Sequence, residues 1–472
     1  TITYGGSSEK GHLLESVGCG VAFFDYDNDG DPDVYIVNGW QLRDKKPSIR
    51  GKNALYRNKG DGTFENVTDL AGVGDDNWGI GVCAGDYDND GWLDLYVTNF
   101  GPNRLYRNNG DGTFTNVAAQ ASVADERWST GATFFDADGD GDLDLYVVNY
   151  VTASIEEVLN AAPSLDWNGV VKVMIGPRGL KGAADAFYRN NGNGTFTEAT
   201  VESGLIDIGE AYGLGVCATD YDHDGDVDVY VANDAEPNYL YQNNGDGTFL
   251  EVGLYANAAV AASGAPQASM GVDFGDYDND GDFDGFVTNF SGECSTLYRN
   301  LGDGFFEDAT ESAGLWQPTY LPMSWGTGFF DYDNDGDLDL FIANGHIYPQ
   351  VDAHLEYGET YAQINQLFEN SAGHFEEVTS AAGHGLQVLL SSRGCAFADF
   401  DNDGDVDILI TNMDAPPTLL RNNGGNQKNW LIVALEGTIS NRAGIGAIIR
   451  LKTGDRIQMR EIRSGNSYVS QN

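Results

Sequence analysis

Positive charge is scarce in this sequence. Lys and Arg number 25 against 73 Asp and Glu, giving a formal charge of −48 and a pI near 4.1. A surface this acidic repels phosphates, which argues against nucleic acid or anionic membrane as a partner and points to cations. Cysteine is also rare. Cys19, Cys83, Cys217, Cys294 and Cys395 form no C-x-x-C pair and are odd in number, which argues against a disulfide scaffold or a zinc site. No run of about 18 apolar residues occurs, so no bilayer-spanning helix is expected. The opening residues TITYGGSSEK do not read as a signal peptide, and a start without Met fits a trimmed product. The six histidines are scattered, and the G-x-S-x-G, H-E-x-x-H, P-loop and dinucleotide patterns are all missing, so no enzyme signature is present. Proline is sparse at 12, whereas Gly reaches 62, Tyr 24 and Phe 23, a composition suited to short strands and tight turns rather than disorder.

The acidic residues are ordered. D-x-D-x-D-G-x-x-D recurs seven times without a register slip. The first copy holds Asp25, Asp27, Asp29, Asp31 and Asp33, and the second Asp86, Asp88, Asp90 and Asp94, with Trp92 at position 7. The third holds Asp136, Asp138, Asp140, Asp142 and Asp144, and the fourth Asp220, Asp222, Asp224, Asp226 and Asp228. Asp276, Asp278, Asp280, Asp282 and Asp284 form the fifth; Asp331, Asp333, Asp335, Asp337 and Asp339 the sixth; Asp399, Asp401, Asp403, Asp405 and Asp407 the seventh. Starts lie 61, 50, 84, 56, 55 and 68 residues apart, the period of one supersecondary unit per repeat.

Each loop sits between a short apolar run such as VAFF and an alternating run such as LDLYVTN, so it joins two strands. A second signature, LYRNNGDGTF in residues 105–114 and its echoes, marks a hairpin, because Asn, Asp and Gly tolerate the positive φ of tight turns. Each repeat thus supplies about four strands, a sheet that cannot bury a core alone. Seven such sheets packed face to face close into a ring, whereas an open solenoid would want capping repeats. The fold expected is therefore all-β, a seven-bladed propeller over residues 1–424 followed by a small partial β module at 425–472. In a closed ring the cysteines read as small buried thiols, with a Cys19–Cys395 bridge across the seam as the alternative. The longer spacings place insertions at about 150–186, where SIEEVLNAA looks helical, and about 345–366, either binding loops or braces.

Carboxylates at positions 1, 3 and 5 can all turn inward in a tight loop whose Gly at position 6 permits the bend. Position 9 closes the cage and position 7 offers its backbone carbonyl, which is why Trp92 is tolerated there. Six to eight hard oxygens suit Ca²⁺; Mg²⁺ wants stricter octahedral geometry, and zinc or copper wants His or Cys. About seven calcium ions, one per blade, are expected. The affinities of extracellular calcium modules fit secretion better than cytosol.

These repeats resemble the FG-GAP/VCBS repeat proteins known from integrin α-subunit propellers, and are most similar to the cartilage acidic protein family with its C-terminal ASPIC/UnbV module. The stretches LLESVGCGVAFFDYDNDGDPDVYIVNG at 13–39, QASMGVDFGDYDNDGDFDGFVTNF at 267–290 and WGTGFFDYDNDGDLDLFIANGHIYP at 325–349 carry the resemblance, and NWLIVALEG onward from 429 looks like the start of ASPIC/UnbV. The resemblance implies a secreted or surface-displayed adhesion, scaffold or binding protein that holds calcium at these aspartates and takes an extracellular protein or glycan as its ligand. A carbohydrate-active enzyme (polysaccharide lyase or hydrolase) or a lectin using the propeller face is the alternative. Two departures stand out: an initial blade strand expected before Thr1, and the last repeat's LLRNNGGNQKN, which lacks the hairpin and leaves its closing strand to come from the N-terminus, the C-terminal segment or another molecule.

Residues 428–472 hold seven Lys or Arg against three acids. Such a basic segment beside an acidic ring should dock on its own propeller or on a neighbour's, the latter building a homo-oligomer or head-to-tail fibre. Trp78, Trp128 and Tyr212 precede their loops by eight residues and read as blade packing. His346 reads as an ordinary loop histidine, or else a pocket residue with Tyr348 and Asp352. Asn66, Asn193 and Asn289 occupy sequons, acceptable as surface-turn glycosylation sites.

Overall fold

In the computed structural model, which describes residues 1–161, 165–167, 169, 171–206 and 211–472, the chain forms a seven-bladed β-propeller. Blade 1 is Val21–Phe24, Asp33–Ile36, Ala54–Asn58 and Phe64–Asn66; blade 2 is Trp78–Gly85, Asp94–Phe100, Arg104–Asn108 and Phe114–Asn116. Blade 3 is Ser129–Phe135, Asp144–Asn149, Ala186–Asn190 and Phe196–Glu198, and blade 4 is Gly213–Thr219, Asp228–Asn233, Tyr239–Asn243 and Phe249–Glu251. Blade 5 is Val272–Gly275, Asp284–Val287, Thr296–Asn300 and Phe306–Asp308, and blade 6 is Ser324–Phe330, Asp339–Asn344, Gln366–Ser371 and His374–Glu377. Blade 7 has three strands, Ser392–Ala398, Asp407–Asn412 and Thr418–Leu420. All pairings within blades are antiparallel, and each acidic loop joins the first strand to the second.

One expectation is corrected and another is narrowed. Blade 1 builds its four strands from residues 21–66, so it needs no strand before Thr1; residues 1–6 instead make single bridges to Ala415 and Gln41. Among the described residues blade 7 receives no fourth strand from either terminus. Its third strand ends in RNNGGN, which turns into a short 3₁₀ segment at Gly425–Gln427 rather than a hairpin.

Ring closure follows from sequence at the axis. Gly81, Gly131, Gly215, Gly271, Gly326 and Gly394 lie where the inner strand of one blade meets the next, and a Cβ on Gly215 would stand 2.3 Å from the Met270 carbonyl, on Gly271 2.2 Å from that of Trp325. Only glycine allows so close an approach. Outward from the axis, each pair of sheets buries its own apolar layer. The seam between blades 7 and 1 is one such layer, with Val21, Phe23, Val34 and Ile36 against Ala396, Phe400 and Leu409. The ring is therefore closed by packing, without covalent help. All five cysteines are free thiols, and burial pushes those of Cys19 and Cys395 up to about 11 and about 12.

Two unrepeated segments close the axis. Connections between second and third strands emerge on the face opposite the acidic loops, and there the insertions in blades 3 and 6 meet. Trp167 packs edge-on to His346 and Tyr357, and the Tyr348 hydroxyl donates to Met174 O at 3.3 Å. The insertions join a cluster containing Trp40, Trp78, Trp128 and Trp325, so they brace that end. The expected helix runs Ile155–Asn160, capped by Ser154, whose side chain accepts from Glu157 N; residues 162–164, 168 and 170 of that insertion lie outside the described residues. A further hairpin, Trp40–Arg43 with Lys46–Arg50, has no counterpart in the sequence reading.

From the loop face, residues 461–472 enter the axis and hydrogen-bond to all seven blades. Glu461 accepts from Thr219 Oγ1 at 2.6 Å, Ser464 donates to Ala84 O at 2.6 Å, and Thr133 Oγ1 donates to Ser464 O. Ser467 pairs by backbone with Val272 and accepts from Thr327 N at 2.9 Å; Gln471 pairs with Val21; Phe397 N donates to Asn472 Oδ1 at 3.0 Å. Tyr468 is fully buried at 4.8 Å from the Trp325 ring, its hydroxyl accepting from Gly18 N.

Candidate metal centres

The seven acidic loops share one backbone course. Position 4 is left-handed in all of them, with φ from 53° at Asn334 to 72° at Gly139, and the Gly at position 6 has φ between 89° and 100°. This explains why position 4 is only Asn, His or Gly. The position 1 carboxylate bends the loop around itself: Asp25 accepts from Asp29 N and Gly30 N at 3.2 and 2.8 Å, and Asp86, Asp331 and Asp399 repeat the arrangement.

Position 9 staples the loop into its blade. Asp33 accepts from Tyr26 N at 3.1 Å and from Asn58 N at 2.7 Å, and Asp94, Asp144, Asp228, Asp284, Asp339 and Asp407 make the equivalent pair of bonds. Buried beside other carboxylates, these acids hold their protons tightly. Burial first, and neighbouring carboxylates second, push Asp33, Asp144 and Asp339 up to about 8, and the position 1 acids Asp86, Asp220 and Asp276 up to about 6, despite backbone donors.

Such crowding is unfavourable unless a cation sits among the oxygens, and the atoms present fit one. Three carboxylate oxygens fall within 4.8 Å of one another in the sets Asp25, Asp27, Asp29; Asp86, Asp88, Asp90; Asp136, Asp138, Asp144; Asp220, Asp222, Asp228; and Asp276, Asp278, Asp284. The Oδ1 atoms of Asp27, Asp88, Asp222 and Asp401, and both oxygens of Asp276, are buried without a hydrogen-bond partner. An anionic oxygen so placed is costly in a protein interior and well placed for a hard divalent ion. When bound, calcium would supply the charge that lets these acids ionise together. Position 7 faces outward from this cage. A Cβ on Gly60, Gly192, Gly245 or Gly302 of the hairpins would meet the carboxylate of Asp31, Asp142, Asp226 or Asp282.

The loops are also wired to one another. The Asn of the L-Y-R-N motif donates from Nδ2 to the position 2 carbonyl of the preceding blade's loop: Asn108 to Tyr26 O, Asn190 to Tyr87 O, Asn243 to Ala137 O, Asn300 to Tyr221 O, Asn370 to Tyr277 O and Asn422 to Tyr332 O, all at 2.6 to 2.9 Å. Asn58 closes the circle on Phe400 O at 2.7 Å. Position 4 reaches the following blade, as Asn402 does to Asp31 Oδ1 at 2.8 Å and Asn89 to Asp142 Oδ1 at 3.0 Å. From sequence the Asn of L-Y-R-N reads only as part of a hairpin; its recurrence at the end of the third strand in all seven repeats, even where the hairpin itself is altered, is the signal that could have revealed the contact.

Other candidate residues lie elsewhere. His346 is fully buried, its Nδ1 accepting from Tyr348 N at 3.0 Å, and burial with nearby Arg393 pushes it down to about 3, so it stays neutral. It lines no open pocket with Asp352, whose carboxylate caps Tyr361 N. Trp78 and Trp128 are buried blade residues, and Tyr212, half-buried, donates to Leu180 O. The sequons at Asn66 and Asn193 are exposed. The one at Asn289 is not: its Nδ2 is buried, donating to Cys294 O at 2.8 Å, and cannot accept a glycan in the folded chain.

FG-GAP-like repeats are recognised at residues 25–97, 86–147, 179–231 and 220–287, and an ASPIC and UnbV segment at 437–472. The chain therefore belongs to the FG-GAP-like repeat propellers that carry an ASPIC and UnbV segment. Among curated proteins it is similar to cartilage acidic protein 1 of Homo sapiens, 26% identical over 254 residues that cover 51% of this chain and 35% of the relative. Cartilage acidic protein 1 of Xenopus tropicalis is 24% identical over 249 residues, covering 51% and 36%. The matches thus span about a third of these relatives' length. Among solved structures, the BP39L lectin of Burkholderia pseudomallei superposes with a TM-score of 0.50 at 11% identity, over 85% of this chain and 94% of the lectin, a likeness of fold alone. No described helix is long and apolar enough to cross a membrane.

Proposed function

We propose that this chain is an extracellular, calcium-loaded propeller acting as a binding or scaffold module, with residues 1–424 forming the ring and 425–472 the segment that covers and threads it. Positions 1, 3, 5 and 9 of each loop would supply carboxylates and position 7, Trp92 included, a backbone carbonyl, for about seven ions. The buried, partnerless oxygens inside the loops carry this reading. Sites of this kind bind calcium at about 0.1 to 1 mM, which extracellular fluid supplies and cytosol does not. Thermal melts of the chain with millimolar calcium and after chelation test it. Loss of calcium should lower the melting temperature, and an unchanged melt would dismiss the structural role.

The partner we propose is an extracellular protein or a glycan. An exposed aromatic pair, Trp316 stacked on Tyr320 at 5.4 Å and 26°, offers the kind of surface on which sugars stack, and a lectin shares the fold. A glycan array run beside a polysaccharide turnover panel separates a binder from a lyase or hydrolase. Self-assembly has its own support. Blade 7 presents an open third strand, and Trp430, Leu431, Ile432 and Val433 run exposed without a strand partner. Strand addition between copies would join the two. Deleting 429–436 should then remove large species from a sizing column, whereas unchanged elution would rule it out. The basic side chains are poor candidates for that contact, since Lys428, Arg456 and Arg463 pair within the chain.

A further inference from the structure

In the third strand, the residue before the bridging Asn is Arg57, Arg107, Arg189, Gln242, Arg299, Glu369 and Arg421 in blades 1 to 7. This residue flanks the position 3 aspartate of its own loop. Arg421 Nε lies 3.1 Å from Asp401 Oδ2, Arg189 Nε 3.8 Å from Asp138 Oδ2, and Gln242 Nε2 donates to Asp222 Oδ2 at 2.6 Å. Arg57, Arg107 and Arg299 act electrostatically on Asp27, Asp88 and Asp278. In blades 3, 4 and 7 one oxygen of position 3 thus answers to a donor of its own blade. In Asp222 and Asp401 the other is buried and partnerless, facing the loop interior.

Blade 6 breaks this rule. Glu369 occupies the donor's place, accepting from Tyr332 at 2.8 Å and adding a negative charge beside five aspartates. The missing cation arrives from outside the blade: Lys428 Nζ lies 2.9 Å from Asp333 Oδ2. Arg456 follows, donating to Asp335 O at 2.7 Å and pairing with Asp337, and Arg460 acts on Asp331 and Asp276. The hairpin Ile448–Thr453 with Arg456–Glu461 is thereby seated on loop 6, where a Cβ on Gly336 would strike Gln458 and Arg456.

We infer that loop 6 is a docking site for the C-terminal segment, and that seating Lys428 and Arg456 there is antagonistic to calcium binding in that loop. The inference rests on the calcium reading above. Cations held at one ligand carboxylate, Asp333, and beside the cage at Asp337 repel a divalent ion, and coupling of this kind is reciprocal: the segment weakens calcium at loop 6, and calcium loosens the segment. Loop 6 without the segment has the largest negative charge and no cation of its own, so its affinity depends on whether the segment is seated. In the six other blades the position 3 flank comes from the blade itself, which leaves their loops independent of the segment in this respect.

Hydrogen exchange of the full chain across a calcium titration tests this, reading peptides over loops 1 to 7 and over 428–460. Lys428→Ala with Arg456→Ala should lower the calcium midpoint of loop 6 roughly fivefold, within the usual range of such couplings, and leave loops 1 to 4 in place. Glu369→Arg, which restores the blade's own cation, should speed exchange in 428–433 and 448–460. A loop 6 midpoint that stays fixed or rises in the double variant overturns the inference while the calcium reading stands. If no loop gains protection with calcium, the calcium reading itself fails, and this coupling with it.

Discussion

The ring and the segment that threads it are stabilised in opposite ways. The ring repeats each device seven times: an axial glycine or its close neighbour, an acidic loop, an Asn bonded to the preceding loop. Residues 461–472 do their work once: Glu461, Ser464, Ser467, Gln471 and Asn472 share the seven blades among them, and Tyr468 fills the centre. Repetition spreads stability over many weak, similar contacts, whereas the threading segment concentrates it in a few residues that nothing else replaces.

Removing calcium strikes every repeat together and should have the largest effect. At 1 mM calcium and a Kd of about 0.1 mM, each site would stabilise the fold by about 1.4 kcal/mol, and seven by about 10 kcal/mol. Chelation should therefore lower the melting temperature by about 10 °C in one cooperative step, and a stepwise change would mean the repeats act independently.

The metal-free ring should also respond to pH in an unusual direction. Carboxyls such as Asp33, Asp144 and Asp339, held near 8, keep protons that the unfolded chain releases near 4. Stability is then greatest below about pH 4 as far as these groups are concerned, and is lost as pH rises through about 8. Urea melts of chelated protein should show weaker folding at pH 8 than at pH 6, with calcium removing the difference; a rise with pH in chelated protein would contradict the burial of these acids.

Single substitutions sharpen the contrast between the two regions. Tyr468→Ala removes a fully buried aromatic from the axis and should cost about 3 to 5 kcal/mol in chemical denaturation. Gly271→Ala forces a methyl against the Trp325 carbonyl in one blade junction among seven and should cost about 1 to 3 kcal/mol. If the glycine variant proved the more damaging, the ring would be less redundant than its repetition implies.

Much of this was legible in the residues. Seven registered acidic loops between apolar runs were enough for blade number, for the place of each loop between two strands and for naming candidate ligands, because loop geometry is local and repeats average out chance. What sequence could not show was non-local. The Asn of L-Y-R-N looks like turn chemistry until the preceding blade stands beside it. SGNSYVSQN has no apolar period, since its side chains meet strands of several blades rather than one face. Asn289 looks like any surface sequon because nothing local reveals that its amide is spent on Cys294 and Thr296.

The threading of 461–472 bears on how such a chain comes to be folded. Synthesis delivers all seven blades before the residues that fill their axis, so the nascent ring must wait, ajar, for its own centre. Until those residues arrive, the inward edges of seven sheets lack their last partners. The interval between the seventh blade and Tyr468 is when the chain is most exposed to joining a neighbour instead of itself.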